Sequence, residues 1–96
     1  MAWFLYLIEC EDGSLYTGIA MDVEARFALH ASGKGARYTR SHPPKRLVAM
    51  KEFPNRSEAT KAEYVMKGLS VSEKRAFCQQ FPPTPQKSTI KRGSGS

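Results

Sequence analysis

Cysteine is scarce in this 96-residue chain: Cys10 and Cys78 are its two thiols, and their spacing matches no metal-ligand pattern. A thiolate metal centre and a disulfide framework are set aside on that ground. The pair reads as reduced thiols in a cytoplasmic protein. Long apolar runs are also missing. Nothing approaches the roughly 20 apolar residues that span a bilayer. Met1 to Glu9 is apolar but short and lacks a basic leading region, so it does not read as a signal peptide. No lipidation motif or basic amphipathic helix points to a membrane surface. Acidic side chains are few, with 9 Asp and Glu against 15 Lys and Arg and a net charge of +6. Between Glu24 and Glu52 there is no acid, while seven Lys or Arg occur. No internal repeat is visible, and the length suits one domain rather than two.

Strong basicity concerns partners rather than fold, and nucleic acid is the commonest partner of such a surface. The elements can be read in turn. Trp3 to Glu9 is aromatic and β-favouring on both faces, which suits a strand buried on two sides. Glu11-Asp12-Gly13 is a turn signal, and Ser14 to Ile19 reads as the return strand. Asp22 is a good N-cap for a helix over Val23 to Ser32, stopped by Gly33. Lys34 to Arg40 reads as a flexible basic loop closed by Pro43-Pro44. Arg46 to Phe53 suits a third strand, with Leu47, Ala49 and Lys51 on one face. Ser57 is expected to cap a helix to Lys67, whose stripe of Ala59, Ala62, Met66 and Leu69 faces a core. Ser70-Val71-Ser72-Glu73 resembles a capping box opening a last helix through Phe77. The expectation is an α/β fold: a small three-stranded antiparallel or mixed sheet flanked by helices, in the order β-β-α-β-α-α. Residues 1–81 form the domain. Residues 82–96 are Pro-, Ser-, Lys- and Gly-rich and are expected to be a disordered basic tail.

Four groupings could carry chemistry, and each has an ordinary reading. Tyr6 and Tyr16 lie on the two arms of the hairpin, where a tyrosine is usually packing. Arg26 and His30 share a helix face, as do Glu63 and Lys67, and either pair could be a solvated face or a supporting ion pair. Glu63, however, lies about 40° beyond Ala59 on the helical wheel, at the edge of the apolar stripe. A semi-buried acid there needs a partner or a metal. The basic run is more specific. Lys34, Arg37, Arg40, Lys45 and Arg46 suit phosphate contacts, with Tyr38 as a stacking ring.

Taken together, these residues resemble the GIY-YIG nuclease superfamily, most of all its small stand-alone bacterial members. Phe4-Leu5-Tyr6 matches the first motif and Tyr16-Thr17-Gly18 the second. Arg26 matches the helical arginine, His30 the histidine one turn later, and Glu63 the metal-binding glutamate. The resemblance runs from Ala2 to Phe77. Leu5 and Phe4 depart from the namesake tripeptide without touching its chemistry. The lysine that follows the second motif in several relatives is replaced by Ile19-Ala20-Met21, so an assisting cation is either absent or comes from elsewhere, with Lys34 and Lys67 as candidates. The resemblance implies a metal-dependent endonuclease acting on DNA, with RNA left open and no membrane role. Its cofactor would be Mg²⁺ or Mn²⁺ on Glu63. Tyr6 would be the general base, its pKa lowered by Arg26 and metal. Tyr16 would position water or phosphate, Arg26 would hold the phosphate, and His30 would assist. A non-catalytic nucleic-acid-binding module on the same scaffold is the alternative, and a protein-interaction domain is the third reading.

Hairpin register decides whether the tyrosines can share one site, because side chains alternate along a strand. A two-residue turn would put Tyr6 and Tyr16 on opposite faces. A three-residue loop, with Gly13 in the left-handed position, pairs Tyr6 with Gly18 and Ile8 with Tyr16 and puts both rings on one face. The chemistry therefore predicts the three-residue loop.

Overall fold

A computed structural model describes residues 2–83; the expected tail, from residue 84 onward, lies outside the described residues. The chain begins with the hairpin. Strand β1 (Trp3–Cys10) and strand β2 (Leu15–Ala20) are joined by the three-residue loop. Gly13 N–H donates to the Cys10 carbonyl at 2.9 Å, and Cys10 N–H donates to the Ser14 carbonyl at 2.8 Å. Gly13 has φ +87°, a conformation costly for any residue with a Cβ. The resulting register sets Tyr6 opposite Gly18 and Ile8 opposite Tyr16, as the three-residue loop requires.

Strand β3 (Pro44–Phe53) pairs antiparallel with the other edge of β1, giving the order β2-β1-β3. It starts two residues before the expected Arg46, since a proline is tolerated as the first residue of a strand. One expectation fails here. Leu7 lies opposite Ala49 but Ile8 lies opposite Leu47, so Val48 is an extra, bulged residue. The bulge moves Leu47 to the opposite face from Ala49. Leu47 joins the cluster of Tyr6, Ile8 and Cys10, whereas Ala49 joins Leu5 and Leu7.

Among the described residues, four helices flank the sheet. Helix α1 (Val23–Ala31) is capped by Asp22, whose carboxylate accepts from Ala25 N–H at 3.0 Å. Helix α3 (Arg56–Lys67) is capped by Asn55, not by the expected Ser57, which lies inside the first turn. Helix α4 (Val71–Gln80) opens with the capping box of Ser70 and Glu73 and runs three residues past Phe77. The remaining helix is a departure. Where a flexible basic loop was expected, Arg37–Ser41 forms a short helix, α2, so the order is β-β-α-α-β-α-α. No apolar period announces it. It is held from within, by Thr39, which is 1% exposed and donates its hydroxyl to the Ala36 carbonyl at 3.0 Å.

Helices α1 and α2 cover the face carrying Tyr6 and Ile8, through Val23, Phe27 and Tyr38. Helices α3 and α4 cover the face carrying Leu5 and Leu7, through Met66, Ala62 and Phe77. Among the described residues, strand β1 is thus the only strand paired on both edges and buried on both faces, and Leu5, Leu7 and Ile8 are each at most 1% exposed. Burying each contributes about 1.5–3 kcal/mol. The rigid central strand is also the one that carries Tyr6.

Candidate active site

Tyr6 points from β1 into the α1 side, and its ring is 1% exposed. Gly18, across the hairpin, leaves the room that the ring needs: a Cβ there would sit 2.5 Å from the Tyr6 hydroxyl oxygen. The hydroxyl lies 3.0 Å from Nε2 of His30, which is itself 2% exposed. On its far side, His30 Nδ1 lies 2.8 Å from Thr39 Oγ1. The Thr39 hydroxyl has one proton and gives it to the Ala36 carbonyl, so the Oγ1 lone pair faces His30. Nδ1 therefore carries the imidazole proton, and Nε2 accepts from Tyr6. Ala36 N–H also points at Nδ1, but at 3.4 Å it is the weaker contact and does not decide the tautomer. Gly35 permits this approach. A Cβ on Gly35 would overlap His30 Nδ1 and lie 2.9 Å from the His30 Cα.

Tyr16 completes an aromatic cluster, with its ring 5.1 Å from His30 in an edge-on arrangement and 6.4 Å from Tyr6. Charges from three further elements converge on this cluster. Arg26 of α1 and Glu63 of α3 both act on the Tyr6 and Tyr16 hydroxyls, and Lys67 acts on Tyr16. Glu63 is half-buried, as its place at the edge of the stripe suggested, and its Oε2 lies 3.3 Å from Lys67 Nζ. The structure thus brings Tyr6, Tyr16, Arg26, His30, Glu63 and Lys67 together at the β2 edge of the sheet.

At Tyr6, Arg26 acts in the expected direction, but burial acts more strongly against it. Burial pushes its hydroxyl well above the ordinary phenol range, Tyr16 adds to the shift, and Arg26 opposes it without prevailing. Tyr16 is raised by burial too, with Lys67 opposing. A phenolate is therefore disfavoured in the free protein. Desolvation outweighs one partly hydrated guanidinium. Burial, then Arg26, pull His30 below the usual imidazole value, so it is neutral at pH 7.

The His30 shift carries a stability consequence. The unfolded chain binds a proton near pH 6.5, but the folded chain resists it. Stability from this group is present above about pH 6.5 and declines as pH falls toward the lower folded value. Urea melts of the wild type should show a falling midpoint between pH 7 and 5.5, above the range where carboxylates titrate, and His30→Gln should flatten it. Equal slopes in both proteins would remove His30 as the cause.

The basic stretch divides. Among the described residues, Lys34, Arg37, Arg40 and Lys45 are exposed and form no ion pair. Arg46 is elsewhere: it faces Glu9, with Nε 2.8 Å from Oε1, on the sheet face that α4 covers. Tyr38 is already stacked, at 5.8 Å from Tyr16 and 4.0 Å from His42. Sequence reasoning missed Thr39 and Gly35, because a threonine and a glycine within a basic run carry no signal of a buried histidine beyond them.

Among the described residues, no three His, Cys, Asp or Glu side chains cluster as a ready metal site. Glu63 alone offers a partly hydrated carboxylate beside the tyrosines. That donor set fits a hard ion that keeps most of its waters, such as Mg²⁺, and does not fit Zn²⁺. No helix among the described residues is long and apolar enough to cross a membrane.

Comparison with known proteins bears on this geometry. The GIY-YIG catalytic domain family matches residues 2–76. A UPF0213 protein of Cupriavidus necator is 57% identical over 83 residues, covering 86% of this chain and 90% of the relative. A UPF0213 protein of Xanthomonas axonopodis pv. citri is 44% identical over 86 residues, covering 90% of this chain and 84% of the relative. Among solved structures, the solution structure of the UPF0213 protein of Bacillus halodurans is similar at a TM-score of 0.56 and 44% identity, over 93% of this chain and 95% of that one.

Proposed function

Because this chain belongs to the GIY-YIG family, whose domain is a nuclease fold, we propose that it is a metal-dependent endonuclease that hydrolyses phosphodiester bonds in DNA. The observation that carries the reading is the buried Tyr6–His30 hydrogen bond beside Arg26 and Glu63. Nuclease chemistry needs a deprotonated water, a held phosphate and a stabilised leaving oxygen. Members of the family generally use divalent metals. Glu63 would hold Mg²⁺ or Mn²⁺, which when bound neutralises charge on the phosphoryl and leaving oxygens.

The protein's own groups supply the rest. The raised pKa of Tyr6 argues against a standing phenolate and for a relay. The Tyr6 oxygen takes a proton from water as its own proton passes to His30 Nε2. His30 is free to accept it, being neutral with Nδ1–H held by Thr39. The hydroxide formed attacks phosphorus, the bond to the leaving oxygen breaks, and that oxygen takes a proton from solvent. The planar donors of Arg26 hold the phosphate and the charge that builds on it. Tyr16 positions the water or phosphate. Lys67, tied to Glu63, is the better-placed candidate for the assisting cation than Lys34.

The test is a cleavage screen over single-stranded, duplex, flapped and branched DNA and RNA, with Mg²⁺, Mn²⁺ or chelator. Metal-dependent cleavage of at least one DNA substrate is expected; none on any substrate would leave the second reading. That reading, a nucleic-acid-binding module without catalysis, draws on the Glu63–Lys67 ion pair, which partly occupies the metal-binding carboxylate.

Exposed Arg37 and Arg40 are assigned to phosphate contacts in either case. Log–log plots of affinity against salt should lose about 0.7–0.9 of slope for each contact removed. An unchanged slope in the double alanine variant would reduce this run to a solvated surface.

A further inference from the structure

Strand β2 is an edge strand, so along its outer side the backbone has no strand partner among the described residues. An open groove runs beside that edge, lined by Leu15, Tyr16, Thr17, Tyr38, Lys67 and Lys74. Two features of it have no role in the site described above. Lys74, the first-turn cation of α4, forms no ion pair among the described residues. Thr17, the middle residue of the second motif, is 3% exposed, and its hydroxyl has no hydrogen-bond partner. An unpaired buried hydroxyl is uncommon and costs roughly 1–3 kcal/mol if it stays unpaired. Packing alone would be served as well by valine.

We propose that this groove is a second phosphate subsite, which holds a phosphodiester of the substrate strand next to the one being cut. The inference rests on the nucleic-acid reading above. Tyr16 borders both the groove and the Tyr6–His30 cluster, so a strand whose scissile phosphate lies at Arg26 continues past Tyr16 into the groove. Lys74 and Lys67 supply point charges to the phosphate from the α3–α4 side, and the Thr17 hydroxyl donates to it from the floor. Lysines suit a backbone contact that fixes position without reading sequence. Tyr38, in the groove wall, is braced on both sides by ring stacking, on Tyr16 and on His42.

The experiment measures binding of a fluorescein-labelled oligonucleotide, single-stranded and duplex, by anisotropy across a salt series without metal. Lys67 is left intact because it is tied to Glu63. Lys74→Ala should lower the log–log slope by about 0.7 on single strands and about 0.9 on duplex, and Lys74→Arg should restore it. Thr17→Val should bind about tenfold more weakly with an unchanged slope, since a hydrogen bond is lost but no charge. Its melting temperature should hold or rise, which separates lost contact from lost fold. A wild-type slope in Lys74→Ala, alongside a reduced slope in the Arg37 and Arg40 double variant, would dismiss the groove and leave the nucleic-acid reading standing. Wild-type affinity in Thr17→Val would also dismiss it. Wild-type protein without salt-dependent binding would overturn both.

Discussion

Glu63→Gln should abolish cleavage while leaving the fold and nucleic-acid binding in place. Glutamine has the shape of glutamate but not its charge, and a hard divalent ion needs the charge. If Glu63 is the single protein ligand, no second carboxylate compensates, because among the described residues no acid cluster surrounds it. The metal's contribution to transition-state charge is worth several kcal/mol, so the loss should be roughly three orders of magnitude or more. Stability should barely change. The Glu63–Lys67 pair is partly solvated, with Lys67 more than half exposed, and such pairs contribute at most about 1 kcal/mol. Binding to DNA should hold or tighten, since one negative charge leaves a basic surface and Lys67 is released. Cleavage by the variant at the wild-type rate would end the metal assignment; loss of cleavage together with loss of fold would show that Glu63 serves structure instead.

What could be read in the sequence follows a physical line. The hairpin register was accessible because a single turn residue, Gly13, fixes it and because the chemistry admits only one register. The edge position of Glu63 was accessible because helical geometry is regular. The bulge at Val48 was not, since an extra residue in a strand leaves the alternation of apolar side chains ambiguous over so short a span. Helix α2 was invisible for another reason. Its five residues have no apolar period, and what stabilises it is tertiary: Thr39 reaching back to Ala36 and inward to His30. At Tyr6 the effect of Arg26 was legible but the weight of burial was not, because the sequence shows which charges are near but not how much water is excluded.

The basic loop therefore has two sides. Outward, Lys34, Arg37 and Arg40 present charge to solvent. Inward, Gly35, Ala36 and Thr39 enclose His30 and set its tautomer. In the proposed reading, a strand of nucleic acid drawn onto the outer side would press against the segment that encloses His30.

Gly35→Ala should damage both stability and cleavage, although Gly35 touches neither phosphate nor metal in the reading above. Its added methyl would overlap His30 Nδ1 and come within 2.9 Å of the His30 Cα. A side-chain tip can swing aside, but a backbone atom in a capped helix cannot, so the loop has to lift. Overpacking of this kind costs roughly 1–3 kcal/mol. For a domain of this size each 1 kcal/mol lowers Tm by about 4–8 °C. Lifting the loop also withdraws Thr39, which then no longer fixes the proton on Nδ1. A proton relay contributes on the order of 10²–10⁴ in rate, and kcat should fall toward the level of His30→Ala with KM little changed. The double variant Gly35→Ala/His30→Ala separates the two effects. Removing the imidazole relieves the Nδ1 overlap, so the double variant should be less destabilised than the sum of the singles, while its cleavage rate should match His30→Ala alone. Strict additivity in stability would mean that the imidazole overlap adds nothing to the clash with the His30 backbone. Full activity in Gly35→Ala would mean that the loop does not set the relay.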